Sequence, residues 1–311
     1  MKAQCLFASV VILCAVTSPC VHAGSAAKGT VYIGAAFGTH YVHKVEFDYD
    51  GIGSMTASAT ILTTLPTAAD ALVVPGGDLI VAGQGPNVYK VNSATGTYAT
   101  ISAGNNGNAV SLDPGGASVW IGWTDTSPSQ VPLNPFANGT AHSVSGDDST
   151  VTSLAFTPGN GVYYANGGTS SGNFGTINLT TFTTARLKAA TFADNVHYDR
   201  FSRSLILAGT GHAIQLDPAN TATPLSTRDD TAAGENYLML RPDGRGHLFG
   251  TRYGGGDRLV LVDYSATGLI GDASTIIVST VIVNGAVPVN GLSGGVAVDT
   301  SILADGFEVR R

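Results

Sequence analysis

Asp70, Asn195 and Glu235 are oxygen-bearing residues that fall near matching points of a pattern recurring about every 42 residues, and His197 follows Asn195 by two. Two carboxylates and an amide that converged could hold Ca²⁺, with waters completing the shell of oxygens this cation takes. A histidine beneath them could carry a proton as an acid or base. Ser153 and Tyr237 share the phase of Asp70 and Asn195 and would add hydroxyls for a bound ligand. Whether these groups meet depends on the elements that carry them.

Those elements repeat six times. Each unit has a short apolar strand ending in a small residue: Val31–Gly34, Leu79–Ala82, Val119–Gly122, Val162–Ala165, Leu205–Ala208 and His247–Gly250. Some ten residues later comes an apolar residue followed by Asn or Asp, as in Phe47-Asp48, Val91-Asn92 and Val262-Asp263. Five units are preceded by another strand ending in a turn-forming pair or triplet, such as Leu72-Val73-Val74-Pro75-Gly76 and Val110-Ser111-Leu112-Asp113-Pro114. The first unit lacks this strand. Its missing copy stands at the far end as Val296-Ala297-Val298-Asp299.

Four strands per unit without helical periodicity predict an all-β fold, a β-propeller of six four-stranded antiparallel blades. The displaced copy closes the ring by completing the first blade, which leaves no wide sheet edge exposed. The long last repeat keeps a seventh, degenerate blade open as an alternative. Small residues at the ends of the second strands suit close approach of neighbouring blades.

Alternation along the innermost strands sorts their side chains. Ala71, Val110, Leu154, Val196, Leu238 and Val296 should pack between sheets, which leaves two columns for the central channel. One holds Asp70, Ala109, Ser153, Asn195, Tyr237 and Gly295. The other holds Leu72, Ser111, Ala155, His197, Met239 and Ala297, with Glu235 at the rim.

Over residues 30–300 the pattern resembles six-bladed propellers of the NHL-repeat and calcium-dependent lactonase/esterase kind. Asp194-Asn195-Val196 is similar to the Asp-Asn pair that opens an inner strand in those lactonases. Together with the channel columns, this makes Asp70, Asn195 and Glu235 the candidate oxygen ligands for calcium and His197 the candidate acid or base beneath them. The acidic ligand that family carries on its first blade would fall at Gly294-Gly295, where this chain has none. The favoured function is therefore a binding or scaffolding module without a cofactor; the alternative is a calcium-dependent hydrolase.

Residues 1–23 read as a secretory signal: Lys2, an apolar stretch from Leu6 to Val16, a break at Pro19, and Val21-His22-Ala23 as the cleavage sequence before Gly24. The apolar stretch is too short to span a bilayer. Cleavage would remove Cys5, Cys14 and Cys20, the 3 cysteines of the chain, and with them disulfides and thiolate chemistry. The expected address is secreted or periplasmic, the mature chain having no transmembrane anchor. The propeller spans 24–300, and 301–311 form a tail whose Asp305-Gly306-Phe307-Glu308 looks like a short tail on secreted proteins of some Gram-negative bacteria.

Only 12% of residues are charged and the net charge is −7, which argues against disorder and against nucleic acid as a partner. Every arginine lies at or after Arg186. Arg252, Tyr253 and Arg258 mark the face expected to meet an extracellular or periplasmic protein, a glycan or a small molecule. Two G-x-S-x-G matches, at Gly168–Gly172 and Gly291–Gly295, lack the strand-to-helix elbow such a nucleophile needs. His40 and His43 do not share a face at their spacing in an extended segment.

Overall fold

The computed structural model describes residues 24–299 except 37–38, 124–125, 168–171, 190, 192, 232–236, 253–257, 273–275, 281 and 284–294. The expected signal segment, the tail and Glu235 and Tyr253 lie outside the described residues. Six sheets stand in sequence order around a ring, and each runs outward from the channel as a meander. The innermost strands of blades 2 to 6 are Asp70–Val73, Ala109–Leu112, Ser153–Phe156, Asn195–Asp199 and Tyr237–Pro242. The innermost strand of blade 1 is Val296–Val298, paired antiparallel to Ala27–Gly34 with Val31 opposite Val298. Closure by the C-terminal copy is thus found as expected, and the ring has six blades.

Local sequence makes these meanders. Pro and Gly make the reversal after the innermost strands of blades 2, 3, 4 and 6, and Asp199-Arg200-Phe201-Ser202 makes it in blade 5; turn acids cap several of them. Asp113 Oδ1 accepts from the Gly115 amide, and Asp199 accepts from the amides of Phe201 and Ser202. The chain passes through left-handed backbone at Gly116 (φ 67°) and at the matching Asn160 (φ 61°), residue types that adopt it at low cost.

Apolar clusters fill the six seams between blades. Ile33, Val45, Phe249 and Leu261 pack where blade 6 meets blade 1, and Leu205, Leu207 and Val196 pack with Ala155 and Ala165 between blades 5 and 4. Small residues bring the backbones close. A Cβ on Gly122 would sit 2.2 Å from the Thr152 carbonyl oxygen of the next blade. Val296 faces the blade 6 seam and Ala297 the blade 2 seam, so the short closing strand joins two cores at once.

Two sheets exceed four strands. Ser145–Gly146 adds a parallel strand outside blade 4, and Ile282–Val283 adds one outside blade 1 after leaving the outer strand of blade 6. The second addition ties the closing seam at its periphery as well as at its centre. Dipeptide strands have no periodic signature, so the repeat could not announce them. No helix among the described residues is long and apolar enough to cross a membrane.

The closing strand gives a direct test. Removing residues 301–311 should leave a cooperative thermal transition in place. Removing 291–311 takes away Val296, 1% exposed, and Ala297, fully buried, and should abolish that transition. Equal melting of the two truncations would contradict closure by this strand.

Candidate functional site in the central channel

An innermost strand pairs with its neighbour on one side only, so its other edge presents amides and carbonyls to the channel. In this ring the preceding blade supplies the missing partners. Asp70 Oδ2 accepts from the Val110 amide of blade 3 at 2.9 Å. Ser111 Oγ accepts from the Leu154 amide of blade 4 at 3.2 Å. Ser153 Oγ accepts from the Val196 amide of blade 5 at 3.2 Å and donates to its carbonyl at 3.3 Å. Asn195 Nδ2 donates to the Leu240 carbonyl of blade 6 at 3.3 Å. From blade 1 to blade 2 the contact is backbone to backbone, Gly295 N to Ala69 O at 2.7 Å. The polar column expected to line the channel therefore spends its hydrogen bonds between blades.

Blade 6 breaks the column. Tyr237 stands opposite Arg252 but Leu240 stands opposite Gly250, so three residues match two and a bulge reverses the alternation. Tyr237, expected at the channel, is fully buried in the seam with blade 5 and donates from its hydroxyl to Asp230 at 2.9 Å. Arg241 turns into the channel instead. Its Nη2 donates to both Asp70 oxygens, at 2.9 and 3.2 Å, and to the Val110 carbonyl at 3.4 Å. The guanidinium of blade 6 thus reaches a carboxylate of blade 2 and a carbonyl of blade 3, on the far side of the ring.

Both partners are withdrawn from water: the side chains are 2% exposed for Asp70 and 10% for Arg241. Burial pushes the Asp70 carboxyl up from the ordinary range, against the pull of Arg241 and of the Val110 and Ala71 amides. Gly295 makes room, since a Cβ there would sit 1.8 Å from Asp70 Oδ1. The point on blade 1 that carries no acid is filled by the carboxylate from blade 2.

His197 lies half-buried beside this pair. Its Nε2 is 3.0 Å from Asn195 Nδ2. Asn195 Nδ2 also donates to Leu240, which fixes the amide orientation, so Nε2 is the acceptor and the proton is assigned to Nδ1. Burial, and after it the charge of Arg241, hold the imidazole well below its usual range, and it stays neutral at pH 7. Asn195 is 2% exposed, and its Oδ1 has no hydrogen-bond partner among the described residues.

The structure brings Asp70, Asn195 and His197 together and adds Arg241. It places Ser153 in the inter-blade bonds and Tyr237 in a core. Arg252 and Arg258 lie at the end and the start of neighbouring strands of blade 6, half-buried. Asp70 offers no open coordination site, because a guanidinium and two amides occupy its oxygens. Among the described residues no three His, Cys, Asp or Glu side chains form a metal-binding group. His43 is fully buried with neither nitrogen partnered, and burial draws it down to about 4. His40 Nδ1 instead lies 3.0 Å from the Ala35 carbonyl.

Breaking a buried pair from one side costs about 3–5 kcal/mol, because the other charge is stranded. Arg241→Met should therefore lower unfolding free energy by about that amount in denaturant titrations. Adding Asp70→Asn should restore most of the loss, because the amide oxygen still accepts from Val110 and no charge is left. Additive losses would contradict the pairing.

No protein-family model matches the chain, and no curated protein matches it. Solved structures do match in fold. One chain of a nidogen/laminin complex aligns with a TM-score of 0.62 at 10% identity, covering 86% of this chain and 97% of that one. Virginiamycin B lyase from Staphylococcus aureus, solved with quinupristin, aligns at 0.52 and 9% identity over 82% and 88%. A putative 6-phosphogluconolactonase from Bacteroides fragilis aligns at 0.50 and 12% identity over 81% and 80%. At these identities the likeness is one of fold: the chain is a six-bladed β-propeller.

Proposed function

We propose that the chain is a secreted or periplasmic binding propeller that takes a small polar ligand in its channel, at Asn195, His197 and Arg241. The observation that carries this is the unpartnered Oδ1 of Asn195. A buried acceptor without a donor is rare enough to call for one. Beside it stand donors that have no acceptor among the described residues. His197 Nδ1 carries a proton, and all the hydrogen bonds of the Arg241 guanidinium among the described residues run through Nη2. A single water would satisfy the amide alone. A short hydroxy acid satisfies the whole set: its hydroxyl donates to Asn195, and its carboxylate accepts from His197 and Arg241.

The arrangement supports binding better than hydrolysis. In this hydrogen-bond pattern the Nε2 lone pair is occupied and Nδ1 is protonated, so His197 has no free basic nitrogen. Calcium at Asp70 would have to displace the guanidinium and two amide donors. For a protein or glycan at the Arg252–Arg258 face, the described residues offer no comparable unpaired group.

Thermal shift and calorimetry with glycolate, lactate, glycerate and glucuronate, with glycerol as the neutral control, test this reading. At about 100 times its dissociation constant a bound acid adds roughly 2.7 kcal/mol to stability. One of the acids should raise the melting temperature of the wild type and fail to do so with Asn195→Leu or His197→Phe. If all four acids leave the wild type flat, the reading fails. A rise with calcium chloride that vanishes in Asp70→Asn would put the hydrolase in its place.

A further inference from the structure

At the closing seam, in the turn and the two strands of blade 6 that follow the strand of Arg241, Asp243, His247 and Asp263 form a second buried charged group. Its side chains are 5%, 1% and 8% exposed. His247 Nδ1 is 2.7 Å from Asp243 Oδ2, and its Nε2 is 2.9 Å from the Ser25 carbonyl. With an acceptor at each nitrogen the ring is an imidazolium. Burial works against that charge, but the hydrogen bond and charge of Asp243 outweigh it and the His247 pKa is raised. Two carboxylates then face one cation. Among the described residues the one ion-pair partner of Asp263 is this same ring, 3.8 Å away. Its other contacts are neutral: the Tyr49 hydroxyl at 2.9 Å and the amide and hydroxyl of Ser265 at 2.9 and 2.6 Å.

The start of the described chain lies against this unbalanced carboxylate. A Cβ on Gly24 would sit 1.6 Å from Asp263 Oδ2, so the Cα of Gly24 packs directly against that carboxylate. The Gly24 nitrogen is bonded to that same Cα, so an ammonium there would stand beside the carboxylate. The next residue is anchored to the same blade, with the Ser25 amide donating to Ser265 Oγ at 2.7 Å. From the other side the segment is held by the turn of blade 1, where a Cβ on Gly51 would sit 2.9 Å from the Gly24 carbonyl oxygen. Gly24 is also the residue that follows the cleavage sequence Val21-His22-Ala23.

We infer that hydrolysis of the Ala23–Gly24 peptide bond by a secretory signal peptidase creates an ammonium at Gly24 that binds Asp263 and locks the seam between blades 6 and 1. Water supplies the oxygen of the new Ala23 carboxylate, and Gly24 leaves as the amine, protonated at neutral pH. The amide of the uncleaved chain carries no charge at this point and leaves Asp263 short of a cation. The precursor is accordingly held less tightly closed than the mature chain. Processing thus acts as a final stabilising step of the ring, distinct from any ligand in the channel.

The test compares a chain beginning at Gly24, one that retains Val21-His22-Ala23, and the Gly24 chain acetylated at its amino terminus. The acetylated form keeps the steric fit and loses the charge. Both altered chains should melt a few degrees below the Gly24 chain at pH 7, on the scale of about 2–4 °C per kcal/mol for a domain of this size. In the background of Asp263→Asn the three should melt together. N-terminal sequencing of exported protein should begin at Gly24. Equal melting of the three wild-type forms, a difference that survives Asp263→Asn, or an exported chain beginning elsewhere would each overturn the inference.

Discussion

The inner edge of each blade is the constraint on which the rest of the ring depends. Six short strands stand around a narrow channel, each with one side unpaired, and in a nearly closed space those amides and carbonyls cannot all be left to bulk water. At four of the six steps the chain answers with a polar side chain that reaches from a blade to the backbone of the next. Asp70, Ser111, Ser153 and Asn195 are short enough to do this without filling the channel. The same bonds set how closely neighbouring blades approach, and so the depth of the apolar seams outside them.

Blade 6 departs from the rule, and the departure leaves polar capacity in the channel beyond what the inter-blade bonds use. Its Arg241 reaches across the ring to Asp70, a long-range bond in a structure otherwise stitched between neighbours. A buried ion pair is an unreliable source of net stability, since desolvation offsets much of the attraction. What it adds here is position. It draws three blades to a common point and leaves His197 and the Asn195 oxygen facing one another's neighbourhood without full partners. The seam between blades 6 and 1 repeats the theme with Asp263, where the ring closes by noncovalent contacts between its two ends.

Fold and closure were legible because their signals are local. A Pro-Gly reversal and a small residue at a strand end each act within a few residues, and six copies reinforce one another. The candidate residues were also readable as a column, but their use was not. Alternation tells which side chains share a face, and says nothing of a backbone amide in the next blade waiting for one of them. The extra residue between Tyr237 and Leu240 turns Tyr237 out of the channel. Arg241 was missed because it lies two residues beyond Met239, in the same phase but past the stretch that aligns between repeats. One signal did point to it: Asp70 is a charge in an apolar setting, and Arg241 is the one arginine on an innermost strand.

Hydrogen exchange at the amides of Val110, Leu154 and Val196 tests the inter-blade stitching most directly. None has a strand partner on the channel side, so protection must come from Asp70, Ser111 and Ser153. The account predicts that all three exchange as slowly as ladder amides of the same blades. It further predicts that Ser111→Ala speeds exchange at Leu154 while leaving Val196 protected. Fast exchange at the three amides in the unaltered protein, or no change at Leu154 in the variant, would contradict it.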